Sequence, residues 1–213
     1  ILSIRVNLAS ILYKKPFVVT IHDMVHHKIS GHKKSRLLYF EAYKYIIKNA
    51  AQKARRVLTV SEQAKRDIIQ LLHLTEQKIT VTYEGPSLKP QTEQLVTEVK
   101  QDYLLNKPYF LFVGTLERKK NVVNLVKAFN LFLEKYQLDI DLVVAGKTDM
   151  HYPEIKQDAL NIKHRSQVIF TGYISDLDLA CLYQGAYAFV SASLHEGFGL
   201  PGVEAMTFGL PLI

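Results

Sequence analysis

The sequence predicts an α/β protein whose strands form parallel sheets, and two patterns along the chain support this fold class. Short apolar runs rich in β-branched residues alternate with longer segments in which apolar residues recur at helical spacing. The short runs are almost continuously apolar, as is typical of strands buried on both faces of a parallel sheet. Strands that alternate with helices imply parallel strands joined by right-handed crossovers. A chain of 213 residues can bury such a core without disulfides.

The first half of the chain contains three predicted strands and two predicted helices. The strands are PFVVTI (16–21), RRVLTVS (55–61) and KITVTY (78–83). The spacing of apolar residues predicts a helix over about 33–53. A second helix should begin after Ser61, a good N-cap residue, and end near His73. We therefore expect a first, incomplete domain over residues 1–88.

A stretch of low hydrophobic density separates the two halves. Prolines punctuate it, and we predict a linker over 89–107, although 94–105 also has a pattern compatible with a helix. Residues 108–213 form the second predicted domain. Ser175 and Asp178 fit a capping box for its third helix. The predicted strands of this domain are 109–114, 141–146, 168–173 and 186–191, and its predicted helices are 122–136, 154–164 and 176–183.

The composition excludes several classes of protein. Apolar residues make up 48% of the chain and charged residues 22%, as in globular rather than disordered proteins. Cys181 is the single cysteine, so no intrachain disulfide can form, and we predict that it is a buried core thiol. No apolar run approaches the roughly 20 residues that span a bilayer, and the first residues lack a signal-peptide pattern. These features predict a cytoplasmic protein. The chain starts without methionine and stops at GLPLI, the opening of a predicted strand, so we expect a fragment of a longer protein.

The net charge of +7, from 27 Lys plus Arg against 20 Asp plus Glu, favours anionic partners. The basic tract 32–56 has a helical pattern, and two interpretations of it stay open. It lies peripherally on the inner, anionic face of a membrane, or it is a crossover helix with a solvated lysine face. Because the cations are spread over both halves and no nucleic-acid-binding motif is recognisable, we expect no nucleic acid partner.

Ligands of open α/β sheets bind beyond the carboxyl ends of the strands, so the loops that leave the strands are the candidate sites. The first such loop runs from Gly114 to Asn121. Its glycine lets the backbone approach a ligand, and Arg118, Lys119 and Lys120 precede a helix whose free amides favour anions. A pyrophosphate group fits this arrangement. The alternative is a solvated charged turn.

The second loop, 193–206, combines glycines with two carboxylates. Pro201 suits the first turn of a helix, and the glycines before it permit a backbone cradle for phosphate oxygens. We place Glu196 in the loop and Glu204 in the first helical turn, where both could accept hydrogen bonds from vicinal hydroxyls. The alternatives are a solvated loop acid for Glu196 and a glutamate that complements the helix dipole for Glu204.

Two further strand ends carry weaker signals. Gly172, Tyr173 and Ile174 could hold a nucleobase, or Tyr173 could be an ordinary buried core residue. His22 could donate a hydrogen bond to a sugar or phosphate oxygen, or it could simply be packed. His26 and His27 lie nearby, but their spacing does not match a metal site, and we predict none.

Taken together, these segments resemble glycosyltransferase family 4, whose members retain anomeric configuration and have the two-domain GT-B architecture. The resemblance implies two Rossmann-like domains with parallel sheets and a donor site in the interdomain cleft. HEGFGLPGVEAM is the most specific segment, because its two glutamates surround G-F-G-L-P. The matching segments are TIHD (20–23), VLTVSEQAKRDI (57–68), FLFVGTLERKKN (110–121), GYIS (172–175) and HEGFGLPGVEAM (195–206).

The resemblance also implies roles for individual residues. Glu204 would bind the ribose hydroxyls, and Lys120 would bind the diphosphate. A second phosphate-binding cation of the family often follows the strand-end glycine, where this chain has Thr115, so Arg118 or Lys119 would replace it. The catalytic residues implied are His22, near the sugar, and Glu196, facing the hydroxyls of the transferred sugar. The remaining implied contacts are Gly114 to the diphosphate, the backbone of Gly197, Phe198, Gly199 and Leu200 to sugar and phosphates, and Gly172, Tyr173 and Ile174 to the base.

The activity implied is transfer of a sugar from GDP-mannose or a UDP-hexose to a glycan, lipid-linked or other hydroxyl acceptor, with no metal cofactor. The form GTLE…KKN is similar to mannosyltransferase-like members and favours GDP-mannose. The segment 83–86 departs from the asparagine–glycine pair common in the family. The rival interpretations are a GT-B-like sugar-nucleotide epimerase or phosphorylase, and a basic nucleic-acid-binding α/β module without catalysis.

Overall fold

The computed structural model describes residues 2–3, 15–24 and 37–213. The chain divides into two compact units. The first unit comprises Ile1–Glu84 with Glu196–Phe198, and the second comprises Gly85–His195 with Gly199–Ile213. Each unit has its own parallel sheet, which confirms the predicted fold class.

The first unit contains a parallel sheet whose four described strands lie in the order β1-β2-β3-β4. Val19, Val57 and Ile79, one from each of three strands, are buried together with apolar residues of the two helices. Alternating burial of this kind is expected where one strand face meets a helix. The strands are β1 (Leu2–Ser3), β2 (Val18–Thr20), β3 (Arg56–Thr59) and β4 (Ile79–Val81), and the helices are α1 (Leu37–Lys53) and α2 (Glu62–Leu72).

The start of α2 confirms the predicted N-cap. Ser61 has an extended backbone, and its hydroxyl oxygen accepts a hydrogen bond from the backbone N–H of Ala64 at 3.0 Å. The helix ends after Leu72, where His73 adopts a left-handed conformation. Both ends therefore follow from local chemistry that is visible in the sequence.

The second unit contains a parallel sheet in the order β7-β6-β5-β8. Its strands are β5 (Tyr109–Val113), β6 (Asp141–Ala145), β7 (Val168–Gly172) and β8 (Ala188–Phe189). Its helices are α3 (Glu93–Asp102), α4 (Val122–Tyr136), α5 (Ile155–Ala159), α6 (Asp176–Gly185) and α7 (Leu200–Thr207).

Helices cover both faces of this second sheet. Successive residues of β6 alternate between two apolar cores, with Leu142 and Val144 in one and Val143 and Ala145 in the other. The first core includes α4 and α5, and the second includes α3, α6 and α7. A strand buried on both faces must be apolar throughout, which explains the continuous apolar runs in the sequence. Cys181 lies in the second core, as predicted.

Several predicted segments differ from the observed structure. The strand predicted over 186–191 is only Ala188–Phe189. The helix predicted over 154–164 is only Ile155–Ala159, although Ile162, seven residues after Ile155, still contacts the first core. The range 89–107, predicted as a linker, belongs to the second unit and contains α3. Val96 and Val99 of that helix are buried in the second core, and polar residues around them lower the hydrophobic density of the segment.

Candidate functional site

The strand order of the second unit creates a switch point between β5 and β8. The chain runs outward from β5 to β6 and β7, and then returns to the other side of β5 to form β8. In open parallel sheets the crevice at such a point, beyond the carboxyl ends of the strands, is where ligands bind. The two loops that leave β5 and β8 are the ones for which the sequence gives the strongest site predictions.

Hydrogen bonds join these two loops directly. The backbone N–H of Leu194 donates to the carbonyl oxygen of Lys119 at 2.8 Å. The side-chain amide of Asn121 donates to the carbonyl oxygen of Ala192 at 3.1 Å. The structure thus brings the basic loop after β5 next to the loop that leads toward α7.

A glycine lies at or directly after the end of three neighbouring strands of this sheet, and these strand ends are linked. The N–H of Gly114 donates to the carbonyl of Ala145, and the N–H of Gly146 donates to the carbonyl of Gly172, both at 2.9 Å. Gly146 has a positive φ of 145°, and a methyl group there would lie 2.1 Å from the carbonyl oxygen of Gly114. The strand ends can approach this closely only because position 146 has no side chain.

The three cations of the basic loop have different surroundings. Lys120 lies over the strand-end glycine, since a methyl group at Gly114 would be 3.3 Å from Cε of Lys120. The ammonium group of Lys119 forms an ion pair with Glu117 at 3.1 Å. The guanidinium carbon of Arg118 lies 5.1 Å from the ring centroid of Tyr152. Lys120 is therefore the cation placed at the end of β5.

Thr115 follows Gly114 in the same loop and is half-buried. It occupies the position where the family often carries a cation. Its hydroxyl supplies no charge there, so the electrostatic character of this loop depends on residues 118–120.

Glu204 is a buried carboxylate in the second turn of α7. We predicted it in the first turn, but the helix starts at Leu200 after Gly199 in a left-handed conformation, which makes Glu204 its fifth residue. The side chain is 8% exposed, and its Oε2 accepts a hydrogen bond from the hydroxyl of Tyr183 at 3.0 Å. The helix-dipole alternative assumed a glutamate in the first turn, and Glu204 does not lie there.

The pKa of Glu204 reflects these surroundings. Burial raises the pKa of this carboxyl group, the hydrogen bond from Tyr183 lowers it, and the negative charge of Asp176 raises it. Asp176 is the first residue of α6, two positions beyond Ile174. The negative charges of Asp176, which follows the loop after β7, and Glu204 of α7 therefore oppose each other.

The loop after β7 exposes an aromatic ring. Tyr173 is 80% exposed, so the alternative of a buried core tyrosine is wrong. Gly172 adopts a left-handed conformation, and Ile174 packs partly against the second core. The ring is thus available for stacking, while its neighbours are fixed by the fold.

In the first unit, the segment Glu196–Phe198 contacts the strand ends of β2 and β3. The hydroxyl of Ser61 donates to the carbonyl oxygen of Gly197. A methyl group at Gly197 would lie 2.8 Å from Cβ of Asp23 and 3.2 Å from the carbonyl oxygen of His22, so a glycine is required here. The structure therefore brings His22 and Gly197 together. The neighbouring residues Gly199 and Leu200 are grouped with the second unit.

The end of β4 adds two contacts to this part of the first unit. Nδ1 of His22 lies 3.0 Å from Oε1 of Glu84, a residue in the segment that departs from the family pattern. The rings of Tyr83 and Phe198 lie 6.4 Å apart between centroids, with an interplanar angle of 36°. A carboxylate on Nδ1 holds the imidazole in one orientation and favours the tautomer that carries the proton there.

Metal ligation is not supported within the described ranges, where no group of three or more His, Cys, Asp or Glu residues could hold an ion. His26 and His27 lie outside the described residues. None of the helices in the described part of the chain is long and apolar enough to cross a membrane.

Ser61 offers a test of the contacts made by Glu196–Phe198, the tip of the loop that follows β8. We expect Ser61→Ala to lower the free energy of unfolding by about 1 kcal/mol, because α2 loses its N-cap acceptor. Ser61→Asp keeps an acceptor for Ala64 but cannot donate to Gly197, so its loss should be intermediate. Urea denaturation measures both variants. An alanine variant as stable as the wild type would show that neither bond contributes.

Three important residues were not singled out from the sequence. Tyr183 lies 21 positions before Glu204, and nothing local predicts that pair. Asn121 was named only as the end of the basic loop, although its amide binds the second loop. A signal for Gly146 was present, because the three strands all end with an apolar residue or threonine followed by glycine, in FVG, VAG and FTG.

Comparison with known proteins agrees with this architecture. The family model of Glycosyl transferases group 1 matches residues 96–213, and that of Glycosyltransferase Family 4 matches residues 2–89. O-antigen chain mannosyltransferase B of Escherichia coli is 30% identical over 200 residues, covering 92% of this chain and 52% of that protein. O-antigen chain mannosyltransferase RfbU of Salmonella typhimurium is 29% identical over 174 residues, covering 80% and 45%. The chain thus spans about half the length of the curated relatives it matches.

Solved structures share the fold at lower identity. Anabaena HepE, crystallised in complex with UDP and glucose, superposes with a TM-score of 0.74 at 18% identity, covering 93% of this chain and 52% of that one. WaaG, a glycosyltransferase involved in lipopolysaccharide biosynthesis, gives a TM-score of 0.73 at 18% identity, covering 92% and 55%. Because the group 1 match extends over more than half of the chain, the protein belongs to the glycosyl transferases group 1 family, and its first part matches glycosyltransferase family 4.

Proposed function

We propose that the protein transfers a sugar from a nucleoside-diphosphate sugar to a hydroxyl acceptor, and that its second unit binds the donor nucleotide. The observation that carries this proposal is the pair of hydrogen-bonded loops at the switch point, with Lys120 lying over Gly114. A cation beside a side-chain-free strand end is suited to a diphosphate, because the phosphate oxygens can approach both backbone and charge. Family membership supports the same assignment.

The diphosphate is the chemically important part of the donor. Cleavage of the bond between sugar and phosphate develops negative charge on the departing nucleoside diphosphate. Lys120 and the amides at the start of α7 stabilise that charge without reorganising during the reaction. We propose that these groups, with Arg118 and Lys119 nearby, replace the divalent ion that other transferases use for the same purpose.

The nucleoside would be held by the loop that follows β7 and by helix α7. Glu204 accepts hydrogen bonds from the ribose hydroxyls, and the exposed ring of Tyr173 stacks on the base beside Gly172 and Ile174. Ile174 packs against the core that contains Tyr183, the hydrogen-bond partner of Glu204, which supports a common site for ribose and base.

The sugar roles rest on the family resemblance and on the contacts of the loop tip. We propose that Glu196 faces the hydroxyls of the transferred sugar and that His22 donates to the sugar. The backbone of Gly197 and Phe198, with that of Gly199 and Leu200, would contact sugar and phosphates. The close approach of Gly197 to the carbonyl of His22 supports this grouping for the residues of the first unit.

The names of the relatives support a proposal for the donor and the acceptor. Two relatives are named O-antigen chain mannosyltransferases, which favours GDP-mannose as donor and a glycan or lipid-linked glycan as acceptor. A UDP-hexose is the second candidate donor, because HepE was crystallised in complex with UDP and glucose. A peripheral membrane contact through the tract 32–56 stays a prediction, and residues 32–36 lie outside the described ranges.

A thermal-shift screen of the full-length protein tests the donor site. A ligand present at one hundred times its Kd stabilises the native state by about 2.7 kcal/mol, which is readily visible in Tm. We expect GDP-mannose to raise Tm more than UDP-glucose or ADP-glucose. Glu204→Ala should lose most of that increase, because the ribose loses its acceptor.

Glu98→Ala is the matched control, since it removes an exposed carboxylate from α3 in the same unit. It should respond to the donor as the wild type does. An undiminished shift in Glu204→Ala would refute the ribose role, and the absence of a shift with every sugar nucleotide would refute the proposed donor site as a whole.

A further inference from the structure

A buried tyrosine–glutamate pair connects α6 and α7. Tyr183 is fully buried, and its hydroxyl lies 3.0 Å from Oε2 of Glu204. The ring stacks on Phe208 at 5.5 Å between centroids with an interplanar angle of 9°, and it also contacts Phe189 of β8 at 6.2 Å. The hydroxyl is therefore held in place by packing on a strand and on the end of α7, and it has little freedom to rotate away.

The hydroxyl has two acceptors within reach. Besides Glu204, the carbonyl oxygen of Pro201 lies 3.1 Å away. A phenol has one proton to donate, so the two acceptors share it. Pro201 is in the first turn of α7 and Glu204 in the second. The tyrosine thus ties the carboxylate to the start of the helix that we assign to the phosphates.

This contact determines which carboxylate oxygen faces a ligand. A buried carboxylate needs hydrogen-bond donors, or its ionised form is strongly disfavoured. Tyr183 supplies one at Oε2, and it opposes both burial and the negative charge of Asp176, which raise the pKa of Glu204. With Oε2 engaged by Tyr183, we take Oε1 as the oxygen that an incoming hydroxyl pair would meet.

We propose that Tyr183 is a positioning residue of the ribose subsite, whose hydroxyl fixes the Glu204 carboxylate so that it accepts hydrogen bonds from the ribose hydroxyls. The inference rests on the proposed function, since it assumes that Glu204 meets the ribose. It goes beyond that function in assigning ribose recognition to a residue that does not touch the donor.

Tyr183→Phe tests the contribution of the hydroxyl separately from that of the ring. Phenylalanine keeps the stacking on Phe208 and Phe189 and removes only the donor. Calorimetric titration of the full-length protein with GDP and with 2′,3′-dideoxy-GDP provides the readout. The wild type should bind GDP more tightly than the dideoxy nucleotide. In Tyr183→Phe we expect about tenfold weaker GDP binding, as for loss of one hydrogen bond, and dideoxy-GDP binding within about twofold of the wild type.

Tyr109→Phe is the matched control. Tyr109 is buried in the same core, and its hydroxyl donates to the carbonyl oxygen of Leu182 at 2.8 Å. Removing that hydroxyl perturbs α6 next to Tyr183 but leaves the pair with Glu204 in place. This variant should retain the preference of the wild type for GDP over dideoxy-GDP.

The outcomes separate this inference from the proposed function. Equal weakening of both nucleotides in Tyr183→Phe, or no weakening of GDP, would overturn the positioning role while the donor site stands. A wild type that binds neither nucleotide would overturn the proposed function itself. Should Tyr183→Phe not fold, Glu204→Asp serves instead, because the side chain is one methylene shorter and its carboxylate is withdrawn from the hydroxyl of Tyr183. Retention of the full GDP preference in that variant would overturn the ribose role of Glu204, and with it the positioning role of Tyr183.

Discussion

Gly146→Ala is expected to destabilise the second unit severely, by roughly 2 to 6 kcal/mol, from overpacking and backbone strain combined. The added methyl group would lie 2.1 Å from the carbonyl oxygen and 2.7 Å from the carbonyl carbon of Gly114. Alanine is also strained at a φ of 145°. Such a loss is a large fraction of the 5 to 15 kcal/mol by which a typical domain is stable. Urea denaturation followed by circular dichroism measures it.

The contact cannot be relieved cheaply, because the surrounding backbone is fixed on both sides. The N–H of Gly114 is bonded to Ala145, the N–H of Gly146 to Gly172, and the N–H of Leu116 to Lys147, each at 2.9 Å. Moving either strand end away from the methyl group would break at least one of these bonds.

Gly202→Ala is the matched control for the replacement of glycine by alanine as such. A methyl group at Gly202 meets nothing within 4 Å, and the residue lies in α7 without a positive φ. Alanine there should leave stability unchanged or raise it by up to about 1 kcal/mol. Equal stability of Gly146→Ala and Gly202→Ala would contradict the close approach of β5 and β6.

The parts of this fold that were predicted correctly are those that depend on neighbours in sequence. Helix α4 was predicted at its observed bounds, because Val122, Val126, Phe129 and Leu133 recur on one face and are all buried. The cap of α2 depends on one hydroxyl three residues before its partner. Spacing of this kind is decided within a few residues, so the sequence contains the whole of the information.

The parts that were not predicted depend on packing between distant segments. The basic run 118–120 looks uniform in the sequence, yet an ion pair engages Lys119, an aromatic ring lies under Arg118, and Lys120 lies over Gly114. Likewise, Glu204 was assigned to the first turn of α7 because Pro201 fits the start of a helix. The partner of a buried polar group depends on which helices meet, and single-residue patterns do not contain that information.

The same uneven placement of cations leads to the second large effect, on catalysis. We expect Lys120→Met to lower kcat of the full-length enzyme by about 10²- to 10³-fold, the loss typical of removing one preorganised group that stabilises developing negative charge. Methionine retains an unbranched apolar stem that can cover Gly114, so the variant should still fold while losing the charge.

Lys127→Met is the matched control, because it removes the same charge from an exposed position of α4. Both variants lower the net charge by one, so they weaken the general attraction of the anionic donor equally. Lys127→Met should nevertheless alter kcat by less than about twofold, because exposed charges more than a Debye length apart are largely screened. If Lys120 acts on the leaving diphosphate, Lys120→Met must lower kcat more than it weakens donor binding. The reason is that the negative charge on the diphosphate grows toward the transition state. If Lys120→Met changed only KM, the lysine would bind donor and transition state equally, and the electrostatic role proposed for it in catalysis would be wrong.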